Sequence, residues 1–543
     1  MTSILFRCDA SLSIGSGHVM RCRTLARELQ RRGASITFLC RRQPGDLIGL
    51  LEQDFSVLSL PEQPLAAYTG LEGRDLYGAW LGCSQDHDAD QCLQALTEAG
   101  ITSTSWLVID HYGLDATWEE KLLTRLAVDY HPSLLVIDDL ADRPHRADLL
   151  LDQNFFGDVT EHRYQSLVPP LCRQLLGPHY ALLGPEYARL HPLLPPRTEL
   201  LRVLVFFGGV DQANLTSRTL EALLDPALAD LAVDVVLGGQ SPHRHAVAEL
   251  VARRPHTTLH GLLPSLAGLI ARADLAIGAS GATTWERACL GLPSLVVTIA
   301  ANQLQFAQAL VQAGYLDWLG DAATVTADQI RAALLTQITE LFAREAGSDL
   351  TDGWGVNRLA MAMLGPQGVL KLRPATAADE ALLLRWANDP QVRANSFSSE
   401  LIARANHHHW FNKGLTNPNR LLLIAMAMDG CPIGQIRFDR LQTSAAPNGR
   451  ETTIGLSLDR CTRGHRLATE LVRMGLQVMQ EHWGMATAAV AEVLASNDAS
   501  NACFARCGFA KEAVSPIPPL SRAVNRWRWP PAVPPCSVVM GDG

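Results

Sequence analysis

The chain of 543 residues is 47% hydrophobic and 19% charged, which excludes a mainly disordered or fibrous protein. With 46 Lys and Arg against 55 Asp and Glu, its formal charge of −9 is mildly acidic, so no nucleic acid is expected as a main partner. The twelve cysteines stand singly, without a CxxC pair, and read as reduced thiols. Arg7 and Asp9 interrupt the first apolar run, and no stretch reaches the ~20 apolar residues of a membrane span, so a cytoplasmic protein without a membrane partner is expected.

Short apolar runs alternate with helical patterns from the start to about residue 365. Ser3–Arg7 leads through a glycine loop into a helix ending near Arg32, and strands are predicted at Ser35–Cys40, Phe55–Leu60, Trp106–Asp110, Ser133–Asp138 and Asp148–Gln153. Continuous apolar strands separated by helices mark a parallel sheet covered on both faces. The Pro-rich stretch Leu190–Arg197 reads as a hinge. Strands then resume at Leu201–Gly209, Val233–Leu237, Thr257–Leu263, Asp274–Gly278 and Ser294–Ile299, with helices over Thr326–Arg344 and Val356–Leu364.

After Gly365-Pro-Gln-Gly368 the pattern changes. It predicts a strand at Leu370–Pro374, a helix at Ala377–Asn388 and antiparallel strands at Arg420–Met428, Pro432–Arg437 and Glu451–Leu458. A helix at Leu467–His482, a strand at Ala488–Leu494 and a short helix at Ser500–Cys507 complete it. The expected fold class is α/β, with two doubly wound lobes (1–192 and 199–365) forming one cleft. An α+β domain (369–512) and a Pro-rich irregular tail (513–543) follow.

The loop Gly15-Ser16-Gly17-His18 stands where the first strand hands over to the first helix. Its glycines let a ligand approach the backbone, and the free N–H groups of a helix start favour a phosphate or a developing anion. His18, on the first turn and facing the cleft, is placed to act as a base; the blander reading is a packed histidine. In the second lobe Gly278-Ala-Ser280-Gly281 opens a helix, a geometry suited to a diphosphate. Glu286, about two turns on, is placed to accept from two ribose hydroxyls; otherwise it is an exposed helix carboxylate. Asn302-Gln303 and the Gly208-Gly209 turn lie near the same cleft.

In this order the motifs resemble nucleotide-sugar enzymes of the GT-B fold, a pair of Rossmann-like lobes. Within these the sequence is most similar to the UDP-2,4-diacetamido-2,4,6-trideoxy-β-L-altropyranose hydrolases of pseudaminic acid biosynthesis. The similarity rests on Phe6–Asp9 before Gly15–His18, Val108-Ile-Asp110-His-Tyr112 with Trp118-Glu119, and Asp138–Ala141. It continues through Asp148–Asn154, Gly177–Leu183 and Asp352-Gly-Trp-Gly355 with Arg358, spanning residues 1 to about 365. It implies hydrolysis of a UDP-sugar at its anomeric C–O bond, with inversion and without a metal, His18 serving as general base. Gly15, Gly17, Arg21, Tyr112, Gly209, Ser280, Gly281, Glu286, Asn302 and Gln303 are the substrate-binding residues it implies. A glycosyltransferase passing the sugar to an acceptor hydroxyl would use the same nucleotide site.

The last domain resembles the GNAT acetyltransferases, through Leu372–Asp379, Arg385–Pro390, His409-Trp410-Phe411 and Ile433-Gly434. The resemblance implies acetyl-CoA as co-substrate on the loop Arg463-Gly464-His465-Arg466-Leu467-Ala468, with Arg463, Gly464, Leu467, Ala468 and Asn497 binding it. It further implies N-acetylation of a UDP-4-amino sugar. Arg466 stands where glycine is usual, and Phe504 where many members carry a proton-donating tyrosine. A sugar-nucleotide sensor with a degenerate acetyltransferase is the alternative. His407–His409 is expected on a substrate-facing loop rather than at a metal.

Overall fold

In the computed structural model, residues 2–63, 71–126, 131–340, 347–368, 370–440, 451–484, 487–512 and 523–529 are described. The chain divides into two units, Met1–Ala360 and Met361–Gly543.

Aliphatic runs buried on both faces build two parallel sheets in the first unit. β1 (Ser3–Cys8), β2 (Ser35–Arg41), β3 (Ser56–Leu60), β4 (Trp106–Asp110), β5 (Ser133–Ile137), β6 (Leu149–Asp152) and β7 (Arg173–Leu176) pair in the order β3-β2-β1-β4-β5-β6-β7. β8 (Arg202–Phe206), β9 (Ala232–Val236), β10 (Thr257–His260), β11 (Leu275–Ala279), β12 (Ser294–Thr298) and β13 (Asp317–Asp321) pair in the order β10-β9-β8-β11-β12-β13. Helix Gly17–Arg31 packs through Val19, Cys22, Leu25, Ala26 and Leu29, the spacing of one helical face.

Both sheets reverse their winding beside their first strand, between β1 and β4 and between β8 and β11. The crevice at the carboxyl ends of strands at such a switch point is the place where doubly wound sheets hold ligands. Gly15–His18 follows β1, Asp110 ends β4, Gly208-Gly209 follows β8, and Ser280-Gly281 follows β11. The chain pattern thus delivers the singled-out residues to two switch points.

The Pro-rich connection expected as a hinge is tied down. Arg197 donates to the carbonyls of Ile270, Ala273, Leu290 and Gly291 at 2.7–3.0 Å, and His191 Nδ1 donates to the Cys289 carbonyl at 2.7 Å. Beside Tyr187-Ala188, just before this connection, Arg358 grips both oxygens of Asp352 at 2.6 Å and reaches the His179 carbonyl at 3.1 Å. A Cβ on Gly355 would lie 2.2 Å from the Ala181 carbonyl oxygen, so the Asp352–Gly355 motif is a packing device.

In the second unit β14 (Lys371–Pro374), β15 (Arg420–Met426), β16 (Pro432–Arg440), β17 (Glu451–Leu458), β18 (Ala488–Leu494), β19 (Ala510–Lys511) and β20 (Val524–Trp529) form one sheet in the order β14-β15-β16-β17-β18-β20-β19. The parallel pairing of β17 with β18 covers only Glu451–Thr453 before the strands part. β20 corrects the expectation of an irregular segment 513–543, of which 513–522 and 530–543 lie outside the described residues. His407–His409 sits within helix Arg404–Leu415 rather than on a loop, with His407 buried against Phe411 and His408 paired with Glu380.

Candidate functional site

At the first switch point, β1 and β4 run side by side, with Cys8 opposite Asp110. This places Asp110 beneath His18, on the first turn of helix Gly17–Arg31. His18 Nδ1 donates to Asp110 Oδ1 at 2.5 Å. One helical turn on, Arg21 forks onto the same carboxylate, Nε to Oδ2 at 2.6 Å and Nη2 to Oδ1 at 2.7 Å. Its remaining nitrogen, Nη1, donates to Asp139 Oδ2 at 2.7 Å, and Tyr112 donates its hydroxyl to the same oxygen at 2.5 Å. The Tyr112 ring stands edge-on to His18, centroids 4.5 Å apart.

Burial alone would raise the Asp110 carboxyl, yet the Arg21 charge, His18 and their hydrogen bonds hold it far below the usual range. An ionised carboxylate can only accept, so the proton of neutral His18 resides on Nδ1 and the lone pair on Nε2. Gly15 has φ +81°, the left-handed region where glycine is at ease, and neither Gly15 nor Gly17 has an atom within 4 Å of a would-be Cβ. The first switch point therefore holds an oriented imidazole beside an open helix start.

The second switch point is less complete. The Ser280 hydroxyl is buried without a hydrogen-bond partner among the described residues, and so is Glu286 Oε2. The structure corrects the position of Glu286: helix Thr283–Cys289 is only seven residues long, and Glu286 lies in its first turn, not two turns along. Burial pushes its carboxyl up to about 7, with the neighbouring Tyr187 hydroxyl and Arg287 pulling it partly back. A Cβ on Gly281 would meet the Gln303 side-chain nitrogen at 3.6 Å, so the Ser280-Gly281 and Asn302-Gln303 segments face one another. Gln303 Oε1 is engaged by the Ile299 N–H at 3.0 Å, and Asn302 lies on the short turn Ala301–Gln303. Gly209 is covered by Leu262, 3.4 Å from its would-be Cβ.

Asp110, Asp139 and Asn154 belong to the motifs quoted from the sequence, yet no role in the site follows for them from the sequence alone. The available signal was an acid closing an apolar run, as in Trp106-Leu-Val-Ile-Asp110, beside the strand that carries the histidine loop.

In the second unit the loop before helix Leu467–Trp483 keeps a glycine-like path: Gly464 has φ +85° and Arg466 φ +61°. A left-handed non-glycine costs about 1 kcal/mol or more. Leu467 and Ala468 begin the helix. The Arg463 side chain is turned onto Asp389, 2.8 Å, and the Leu458 carbonyl, 3.1 Å, so it anchors the loop. Asn497 Oδ1 accepts from the Ser500 N–H at 3.1 Å and caps helix Asp498–Arg506. Phe504 is 3% exposed and packs edge-on against Phe509. Among the described residues, no group of three or more His, Cys, Asp or Glu is placed to hold a metal, and no helix is long and apolar enough to cross a membrane.

Comparison with known proteins places these features among relatives. The pattern of the Acetyltransferase (GNAT) domain matches residues 370–510. Spore coat polysaccharide biosynthesis protein SpsG of Bacillus subtilis is 24% identical over 356 residues, covering 65% of this chain and 94% of its own. The UDP-2,4-diacetamido-2,4,6-trideoxy-beta-L-altropyranose hydrolase of Campylobacter jejuni is 26% identical over 213 residues, 39% of this chain and 62% of its own. An uncharacterized protein of Methanocaldococcus jannaschii is 21% identical over 457 residues, 80% of this chain, more than the first unit alone can supply. Among solved structures, MurG of Acinetobacter baumannii covers 67% of the chain at 14% identity with a TM-score of 0.45.

Proposed function

We propose, from the premise that the chain is a homologue of the Campylobacter hydrolase and carries a GNAT domain at its C-terminal side, that the first unit hydrolyses a UDP-linked diacetamido sugar. The observation that carries the reading is the 2.5 Å hydrogen bond from His18 Nδ1 to a carboxylate clamped by Arg21. It leaves Nε2 as a base of fixed direction at an open helix start. A water hydrogen-bonded to Nε2 at about 3 Å attacks the anomeric carbon; its proton passes to Nε2, the new C–O bond forms, and the bond to the UDP oxygen breaks. Asp110 stabilises the imidazolium, as a buried carboxylate does for any histidine base. UDP leaves as an anion toward the Ser280 hydroxyl and the Gly281 N–H, and Glu286 accepts from the ribose.

The second unit, in this reading, transfers acetyl from acetyl-CoA to the 4-amino group of a UDP-sugar. The parted strands β17 and β18 admit the pantetheine arm, and Gly464–Ala468 hold the pyrophosphate. Phe504 supplies no proton, so the CoA thiolate leaves without it. The two activities in one chain suit consecutive steps on one sugar nucleotide.

The deciding experiment incubates the protein with the UDP-diacetamido sugar in ¹⁸O-labelled water, with no acceptor. Label in the free sugar and none in UDP is the expected result, and His18→Ala abolishes it while UDP still binds. Absence of UDP release would overturn the hydrolase reading. Release of free thiol from acetyl-CoA, dependent on the 4-amino precursor, tests the second unit.

A further inference from the structure

The network around His18 does not stop at the first lobe. Asp139 spends one oxygen on Arg21 and Tyr112, while its other, Oδ1, accepts from Asn154 Nδ2 at 2.8 Å. Asn154, 9% exposed, lies just beyond β6. Its amide oxygen accepts from Trp285 Nε1 at 3.3 Å. Trp285 is 1% exposed, belongs to the helix of the second lobe and immediately precedes Glu286. An unbroken hydrogen-bonded path therefore runs from His18 through Asp110, Arg21, Asp139 and Asn154 to Trp285, from one lobe into the other.

We propose that Asn154 is a positioning residue that ties the alignment of His18 to the seating of a nucleoside diphosphate against the helix of Trp285 and Glu286. The inference rests on the nucleotide reading of that helix. Its partners fix the orientation of the amide: indole N–H can only donate and a carboxylate can only accept. The position needs a group that accepts at one end and donates at the other within one short side chain, which asparagine supplies. A carboxylate here would confront Asp139 with like charge. The backbone N–H of Asn154 is held by Asp152 Oδ1 at 2.9 Å, so the amide projects from a fixed base. Arg21 binds Asp110 with two nitrogens and Asp139 with the third, and a shift of Asp139 is passed to the carboxylate that orients His18. Phe155 and Phe156, next in sequence, pack against the same apolar cluster as Trp285, so movement of that helix reaches Asn154 through contact as well.

The test uses the full chain labelled with ¹⁵N-histidine, following the imidazole resonance that is lost in His18→Gln. UDP is expected to shift this resonance in the wild type and to leave it unmoved in Asn154→Leu, with UDP affinity within about threefold. In turnover Asn154→Leu lowers kcat about 30-fold with KM little changed, and Trp285→Phe, which removes the indole N–H, gives a similar split. A shift that persists in Asn154→Leu, or equal losses in UDP binding and kcat, would overturn the relay. Should the wild type fail to release UDP from the sugar nucleotide while its imidazole still responds to UDP, the hydrolase reading fails and the relay stands.

Discussion

The cluster around His18 and the groups around Glu286 differ in how far their polar atoms are already satisfied. Around His18, every oxygen of Asp110 and Asp139 and every guanidinium nitrogen of Arg21 has a partner within the protein. Across the cleft, Ser280 Oγ, Glu286 Oε2 and Arg287 Nε are buried without a hydrogen-bond partner among the described residues. An unsatisfied buried polar atom costs about 1–3 kcal/mol, and a ligand that supplies its partner recovers that cost on binding. Under the proposed function the contrast separates two tasks: the cluster at His18 holds a base in place before substrate arrives, and the groups at Glu286 are kept in reserve for the nucleotide.

Asp110→Asn strikes the first lobe and gives the largest expected effect. An amide can present N–H to the imidazole and reverse its tautomer, so kcat falls about 10³-fold while UDP binding by calorimetry is unchanged. An equal fall in UDP affinity would break the separation of tasks. Glu286→Gln probes the other side, weakening UDP binding about tenfold, near 1.4 kcal/mol, with kcat at saturation little altered.

Acid and base stability sharpen the same contrast, because Glu286 and His111 titrate in opposite senses. Burial lifts Glu286 to about 7 from an ordinary 4.5, so between those values the folded protein holds a proton that the unfolded chain has released. Its stabilising effect is present below about 4.5 and is lost as pH rises through 7. The melting temperature of the ligand-free protein should fall between pH 5 and 8, and fall less in Glu286→Gln. His111, in the first lobe, is pushed down to about 4 by burial, its Nε2 3.5 Å from Asp9. It loses stability as pH drops from 6.5 toward 4, and His111→Gln should flatten that acid limb in thermal melts.

The smallest expected effect lies in the second unit, where the loop before helix Leu467–Trp483 is set in advance at the expense of backbone comfort. Arg466→Gly removes the left-handed penalty at φ +61°, raising stability by about 1 kcal/mol in urea titration with CoA affinity nearly unchanged. A strong gain in CoA binding would mean that the arginine side chain, rather than the backbone, limits the site.

The alternation of apolar strands and helices made the doubly wound lobes legible, since periodicity is local information. The His18 loop was legible for the same reason: glycines, a strand end and a helix start lie within a few residues. Asp110 is 92 residues from His18, and only the pairing of β1 with β4 brings them together. The edge strands β7 and β13 escaped the pattern. β13 reads Asp-Trp-Leu-Gly-Asp and slips register against β12, so it lacks the continuous apolar run of a central strand. β20 was hidden by neighbouring prolines, although Trp527 and Trp529 alternate with Arg526 and Arg528. Glu286 is expected a turn too far along because the glycine loop reads as the helix start, whereas the helix starts at Thr283.

The position of β20 also dictates when the second unit can finish folding. Val524–Trp529 is the last strand among the described residues, yet it lies between β18 and β19 and pairs with both. Until residue 529 has left the ribosome, Ala489–Leu494 shows a bare strand edge and Ala510–Lys511 has no strand to join. Synthesis therefore passes through a stage in which the sheet is nearly built but open along one side, a template for pairing with another nascent chain. A chain trimmed at residue 510, where the recognisable acetyltransferase sequence ends, would make that passing stage permanent.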